Sequence, residues 1–240
     1  RQMCIRDRFT ADNGRLSLMK KDKSGRCFDR ITLDGLELGW LNPLLWQDAG
    51  QDLWVAPDGI EKVEASNGPV RLVLDLTMTR GQAGAGVITR VDGKGVQEAK
   101  AGRERPFRVK YRFVVYPQRE WFSSRLLGME NTGGDPLKLK AYYHYLYSNI
   151  GGAAADDEPE GDRWLDRAAA MCFGVVPSSS LVNVYFWKDE GGMEHPDAAR
   201  SLDLTLKPGE RYSSAEPSVY VVGCRDGEWS VFQRLLKAFG

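Results

Sequence analysis

Apolar and polar positions alternate along most of this chain, and strict alternation marks a strand with one buried face. The clearest run is 70–80. Val70, Leu72, Leu74, Leu76 and Met78 fall on one side, and Arg71, Asp75, Thr77 and Thr79 on the other, with Val73 the apolar exception. Residues 107–117 repeat the pattern, with Phe107, Val109, Tyr111, Phe113 and Val115 inward and Arg108, Lys110 and Arg112 outward. Further strands are expected at 121–131, 137–150, 169–176, 181–188, 201–207 and 218–224. Upstream, 15–20 and 31–40 read as strands with Gly and Asp turns between them. The stretch Asn131-Thr132-Gly133-Gly134-Asp135-Pro136 reads as a turn, because Asn and Gly tolerate positive φ and Pro presets its own. Strands do not alternate with long helical segments, so a βαβ fold is excluded. The expected fold class is all-β, a large antiparallel β-sandwich.

Three segments break the alternation. Residues 81–105 are rich in Gly, Ala and charge and read as a long loop or hairpin excursion, and 151–162 read as a loop. At 229–239, Phe232, Leu235, Leu236 and Phe239 recur at helical spacing. They predict a short C-terminal helix that caps the sandwich or begins another domain. Residues 1–8 resemble translated sequencing-adapter sequence and are expected to stand outside the fold. The expected organisation is therefore a sandwich over 9–228 and a helical segment over 229–240.

Composition narrows the partners. Lys+Arg and Asp+Glu are 33 each, so the net charge is zero, which argues against nucleic acid or an anionic membrane surface as partner. No apolar run approaches the roughly 20 residues of a membrane-spanning helix. The 7 Trp, 9 Tyr and 9 Phe can supply a core of useful size. Cys4, Cys27, Cys172 and Cys224 are widely spaced, with no CxxC and no Cys/His cluster, so no metal site and no disulfide framework is expected. The sequence lacks a P-loop, a dinucleotide-binding glycine motif and a Gly-x-Ser-x-Gly elbow, and no cofactor is expected.

Chemistry centres on two histidines. Within 137–147, alternation puts Tyr142, His144, Leu146 and Ser148 on one side and Tyr143, Tyr145 and Tyr147 on the other. One side is core. If the other carries His144, it presents an imidazole flanked by Tyr142, a combination suited to the mixed apolar and hydroxyl surface of a sugar. The alternative is that tyrosines are simply favoured in strands. His195 lies in 191–198, a loop by composition, between Glu194 and Asp197, two candidate general bases. The acidic run 156–162 has oxygen ligands for Ca²⁺ but not the spacing of a known calcium loop, and reads as solvated.

The stretch 107–150 resembles the galactose mutarotase-like superfamily, within it the aldose and hexose-6-phosphate epimerases. The matching residues are Glu130-Asn131-Thr132-Gly133, followed by Leu139 to Tyr147 with Tyr143-His144-Tyr145-Leu146-Tyr147 around the histidine. Met193-Glu194, ahead of Leu202 to Glu210, is similar to the family's second motif, and Pro196-Asp197-Ala198 to a tripeptide that follows it. The resemblance implies that His144 is a catalytic acid and Glu194 a base, with Tyr142, Trp187, His195 and Asp197 around a mono- or oligosaccharide on a concave face. The family's early Arg-Gly-Gly is missing, for the corresponding stretch, Leu38 to Trp46, has no Arg. The turn at 66–71 instead resembles sandwich domains of larger polysaccharide lyases and glycoside hydrolases. Two functions stay open: a cofactor-free aldose 1-epimerase, or a non-catalytic carbohydrate-binding sandwich.

If residues 1–8 stand outside the fold, a chain lacking them should melt within a few degrees of the full chain, followed by circular dichroism.

Overall fold

The computed structural model describes residues 8–21, 26–50, 52–81, 87–90, 96–98, 104–148, 157–159, 163–166, 171–177, 183–188, 194–214 and 219–225. Its strands in chain order begin with β1 (Phe9–Asp12), β2 (Leu16–Lys20), β3 (Phe28–Leu33), β4 (Leu36–Asp48) and β5 (Asp52–Val55). Next come β6 (Gly59–Asn67), β7 (Leu72–Arg80), β8 (Val87–Arg90), β9 (Val96–Glu98) and β10 (Phe107–Val115). Then follow β11 (Trp121–Asn131), β12 (Leu137–Ser148), β13 (Asp157–Pro159), β14 (Arg163–Asp166) and β15 (Met171–Pro177). The last are β16 (Asn183–Lys188), β17 (Glu194–Leu206), β18 (Arg211–Ser213) and β19 (Val219–Arg225).

These strands make two antiparallel sheets, and the all-β sandwich holds. The larger sheet runs β1-β2-β3-β4-β12-β17-β16, with β5, β8 and β9 attached through β4. The smaller runs β13-β14-β15-β19-β11-β10-β7-β6, with β18 on β11. The alternating residues of β10 (Phe107, Val109, Tyr111, Phe113 and Val115) are at most 1% exposed. They meet Leu18, Phe28, Leu41 and Leu45 of the larger sheet in one buried cluster. Phe28 lies edge-on to Phe113 at 4.8 Å and to Phe122 at 5.9 Å, tying the two sheets together.

Local chemistry sets the turns. Asp34 and Gly35 join β3 to β4 with φ of 49° and 85°, a two-residue hairpin that wants Gly where φ is positive. This splits the expected strand 31–40 in two. Asn131 is completely buried at the β11–β12 turn. Its side-chain amide donates to the carbonyls of Asp135 (2.8 Å) and Leu206 (2.9 Å), and its Oδ1 accepts the Gly133 N–H (2.9 Å). A Cβ on Gly133 would come within 2.9 Å of Pro106, so Gly is needed there.

Three expectations change. Val70 is 69% exposed, because the chain turns at Asn67–Arg71, where the Gly68 N–H bonds the Arg71 carbonyl (3.0 Å), and β7 starts only at Leu72. At 81–105, the hairpin alternative holds: β8 and β9 pair with each other and extend the larger sheet from β5. The loop expected at 151–162 contains β13, paired with β14. The loop expected at 191–198 is strand from Glu194 onward, since β17 is paired there on both sides, with β16 and β12. The helix expected over 229–239 lies outside the described residues, as do residues 1–7.

Phe28 touches three aromatic rings at the centre of the sandwich. Phe28→Ala should cost about 3–5 kcal/mol, read as a lowered midpoint in urea unfolding.

Candidate functional site

One extra residue in β12 determines which side of that strand faces the core. Leu139 pairs with Gln47 and Ala141 with Trp46, so the register skips one position at Lys140 and the side-chain alternation shifts by one. Leu137 and Leu139 are buried before the bulge, and Tyr142 after it, with its cross-strand neighbour Leu45. Tyr142 is completely buried in the intersheet core, which corrects its expected place on an open sugar-facing surface.

Directly paired residues share a sheet face. His144 pairs with Pro43 and Ala198, so its register position is on the Tyr142 and Leu45 side, the core side. Glu194 is on that side too, four residues along β17 from Ala198. At about 3.4 Å per residue and 4.8 Å between strands, the His144 and Glu194 backbones are about 14 Å apart. Asp197 pairs with Tyr145, and His195 with Trp187. These register positions are on the opposite, outer side, with Tyr143 and Tyr145. The six residues expected to surround one sugar are thus divided: Tyr142, His144 and Glu194 on one side of the sheet, Trp187, His195 and Asp197 on the other.

The outer side of the larger sheet has a chemistry of its own. Leu44, Trp54 and Ala141 form a second buried cluster there, with Trp46 and Ala56 packed on it. Trp46 and Trp54 stack at 5.0 Å with planes 27° apart. Lys140 Nζ sits 5.5 Å from the Trp46 ring, and the Arg26 guanidinium 4.2 Å from that of Trp40. Trp46 Nε1 and Asn42 Oδ1 are shielded from solvent and have no hydrogen-bond partner among the described residues. An unmade buried hydrogen bond costs about 1–3 kcal/mol, so two on one strand face are a feature to explain. Trp40, Asn42, Leu44 and Trp46 follow one another at period two, and that spacing, with Trp54 close behind, was the available sequence signal.

The outer side of the smaller sheet is different. Arg112 grips Asp75 through two bonds of 2.8 Å, Lys110 reaches Glu64 (3.1 Å) and Asp75 (3.5 Å), and Arg108 bridges Glu61 (2.6 Å) and Glu130 (2.8 Å). The Arg112 hydrogen bonds hold the Asp75 carboxyl below the ordinary aspartate range, against the opposing effect of partial burial. This side is a mosaic of paired charges. In the core, burial pushes the Cys27 thiol and the Tyr111 phenol up, so both stay neutral near pH 7. Among the described residues, no group of three or more His, Cys, Asp or Glu is placed to hold a metal ion.

No protein-family model matches the chain. No curated protein matches it either. Among solved structures, the chain is similar to a polysaccharide lyase, with a TM-score of 0.43 and 15% identity over 95% of this chain. The match takes in 35% of the lyase, so this chain spans about a third of its length.

Asp75→Asn should lower stability at pH 7 by about 1 kcal/mol. A carboxyl held below its unfolded value stabilises above that value, about 3.9, and the contribution is lost as pH falls through the folded value. The gap between the two proteins should therefore close in acid, measured by urea unfolding from pH 7 to pH 2.

Proposed function

We propose that the chain is a carbohydrate-engaging β-sandwich domain that takes a mono- or oligosaccharide on the outer side of its larger sheet. The observation that carries this reading is the Trp46–Trp54 stack beside Asn42 Oδ1 and Trp46 Nε1, two polar atoms with unused hydrogen-bonding capacity. A pyranose has C–H faces that pack on an indole and a rim of hydroxyls that bond amides and indole N–H groups. Opening of whatever shields these two atoms would let the sugar hydroxyls complete both bonds, each worth about 0.5–1.5 kcal/mol net. The register positions of Trp187, His195 and Asp197 lie on the same side and would extend the surface across β12 to β17 and β16. The paired charges on the smaller sheet's outer side leave it little to offer a neutral sugar.

A second reading is a cofactor-free aldose 1-epimerase. In it, Glu194 takes the proton of the anomeric hydroxyl while His144 protonates the ring oxygen. The bond between C1 and the ring oxygen breaks, the open aldehyde rotates about C1–C2, and the transfers reverse on closure. The common register side of His144 and Glu194 favours this reading, and a separation of about 14 Å leaves room for a hexose between them. Tyr142, buried in the core, has no part in it.

Calorimetric titration with a panel of mono- and oligosaccharides separates the two. The binding reading expects saturable binding that weakens at least about tenfold in Trp46→Ala, and no mutarotation by polarimetry. Mutarotation by the wild-type chain that disappears in His144→Ala would establish the epimerase instead. Absence of both binding and mutarotation would refute both readings.

A further inference from the structure

Along one side the two sheets do not close on each other. Among the described residues, the larger sheet ends at β1 and the smaller at β6. β1 has four residues and β6 nine, so the shorter edge cannot cover the longer one. A cavity of about 260 Å³ lies between them. Its apolar lining includes Phe9, Ala11, Val63, Ala65, Leu74 and Val115. Phe9, Val63 and Ala65 pack on the core yet are only partly buried, so apolar surface is left open.

Two charged residues line this cavity, Asp12 and Arg71. Asp12 Oδ1 accepts the Gly14 N–H at 2.7 Å. Arg71 bonds through its backbone, whose carbonyl accepts the Gly68 N–H. Its exposed guanidinium has no ion pair among the described residues, whereas Arg108 and Arg112 of the same sheet are each held by a carboxylate. The occupant is not an added strand, because Glu61, Lys62 and Glu64 stand exposed along β6, and charges of that kind oppose edge-to-edge pairing.

We propose that the cavity between β1 and β6 binds a small amphipathic carboxylate, with its apolar body between the edge strands and its head on Arg71. A cavity of about 150 Å³ holds a six-carbon ring, so this one holds roughly ten heavy atoms. An apolar lining with a few placed polar groups is the usual make-up of a small-ligand site, and of the two charged groups here Asp12 already accepts the Gly14 N–H, which leaves Arg71 to take the anionic head. A fatty acid of medium chain length has both the size and the single anionic end.

The test is calorimetric titration of octanoate and of octan-1-ol into the wild-type chain, Arg71→Gln and Ala65→Phe. Octanoate should bind the wild type saturably and Arg71→Gln at least about tenfold more weakly, the loss expected for one charged hydrogen bond. Octan-1-ol should bind the wild type about as weakly as octanoate binds Arg71→Gln, and should not distinguish wild type from Arg71→Gln. Ala65→Phe, which fills the cavity, should abolish binding of both. Absence of saturable octanoate binding to the wild type would overturn the proposal, and so would equal affinity in Arg71→Gln. Binding that persists in a folded Ala65→Phe would do the same. Arg71 is exposed, so its substitution leaves the fold intact and decides the matter even if Ala65→Phe fails to fold.

Discussion

The bulge between Leu139 and Ala141 decides which side of β12 meets the core. A strand has two sides, and a shift of one position exchanges them completely. Ahead of the bulge, Leu137 and Leu139 face Phe107, Tyr111 and the rest of the intersheet cluster. Beyond it that role passes to Tyr142, paired with the buried Leu45, while Ala141 joins Leu44 and Trp54 outside. Every residue from Ala141 to Ser148 inherits its side from this one insertion. The neighbouring strands inherit theirs through register, which is why His144 and Glu194 share a side and why Trp187, His195 and Asp197 do not share it with them.

The sandwich thereby acquires two unlike outer surfaces. On the smaller sheet, cations of β10 alternate with the aliphatic residues that fill the core, and each is answered by a carboxylate on a neighbouring strand. Such a surface is largely taken up by its own ion pairs, although Arg125 Nε there has no hydrogen-bond partner among the described residues. On the larger sheet, indole rings and an amide occupy the equivalent positions, and cations sit over two of the rings. Polar atoms there keep unused capacity. The contrast between a surface rich in ion pairs and one rich in indole rings is what favours the larger sheet for the candidate site.

Polar groups inside the sandwich hold its segments in place. The Gln47 amide donates to the Arg105 carbonyl at 3.1 Å and accepts its N–H at 2.8 Å, so one side chain stands in for a strand partner. Asn131 does comparable work at the opposite end of β12's loop, joining the β11–β12 turn to the end of β17. Lys20 and Asp29 form a buried pair at 3.2 Å, and Arg80 and Glu104 another at 3.3 Å. Breaking such a pair strands a charge, at a cost of about 3–5 kcal/mol, so each fixes the backbone around it.

By itself, the sequence determined the fold class and most strands. Burial of one side of a strand forces period-two alternation, and β7 and β10 carry it in their residues at Leu74 to Met78 and Phe107 to Val115. It also marked the Asn131 turn, whose chemistry is local. Alternation divided 142–148 into two sets correctly but could not say which set is core, because both contain tyrosines and the bulge at Lys140 has no local signature. Composition made 191–198 a loop, since Gly, Pro and charges dominate it, whereas pairing with β16 and β12 draws Glu194 to Ala198 into the sheet. Trp46 and Trp54 were visible as residues, but their stacking depends on β4 and β5 lying side by side, and cross-strand partnership is a property of the tertiary fold alone.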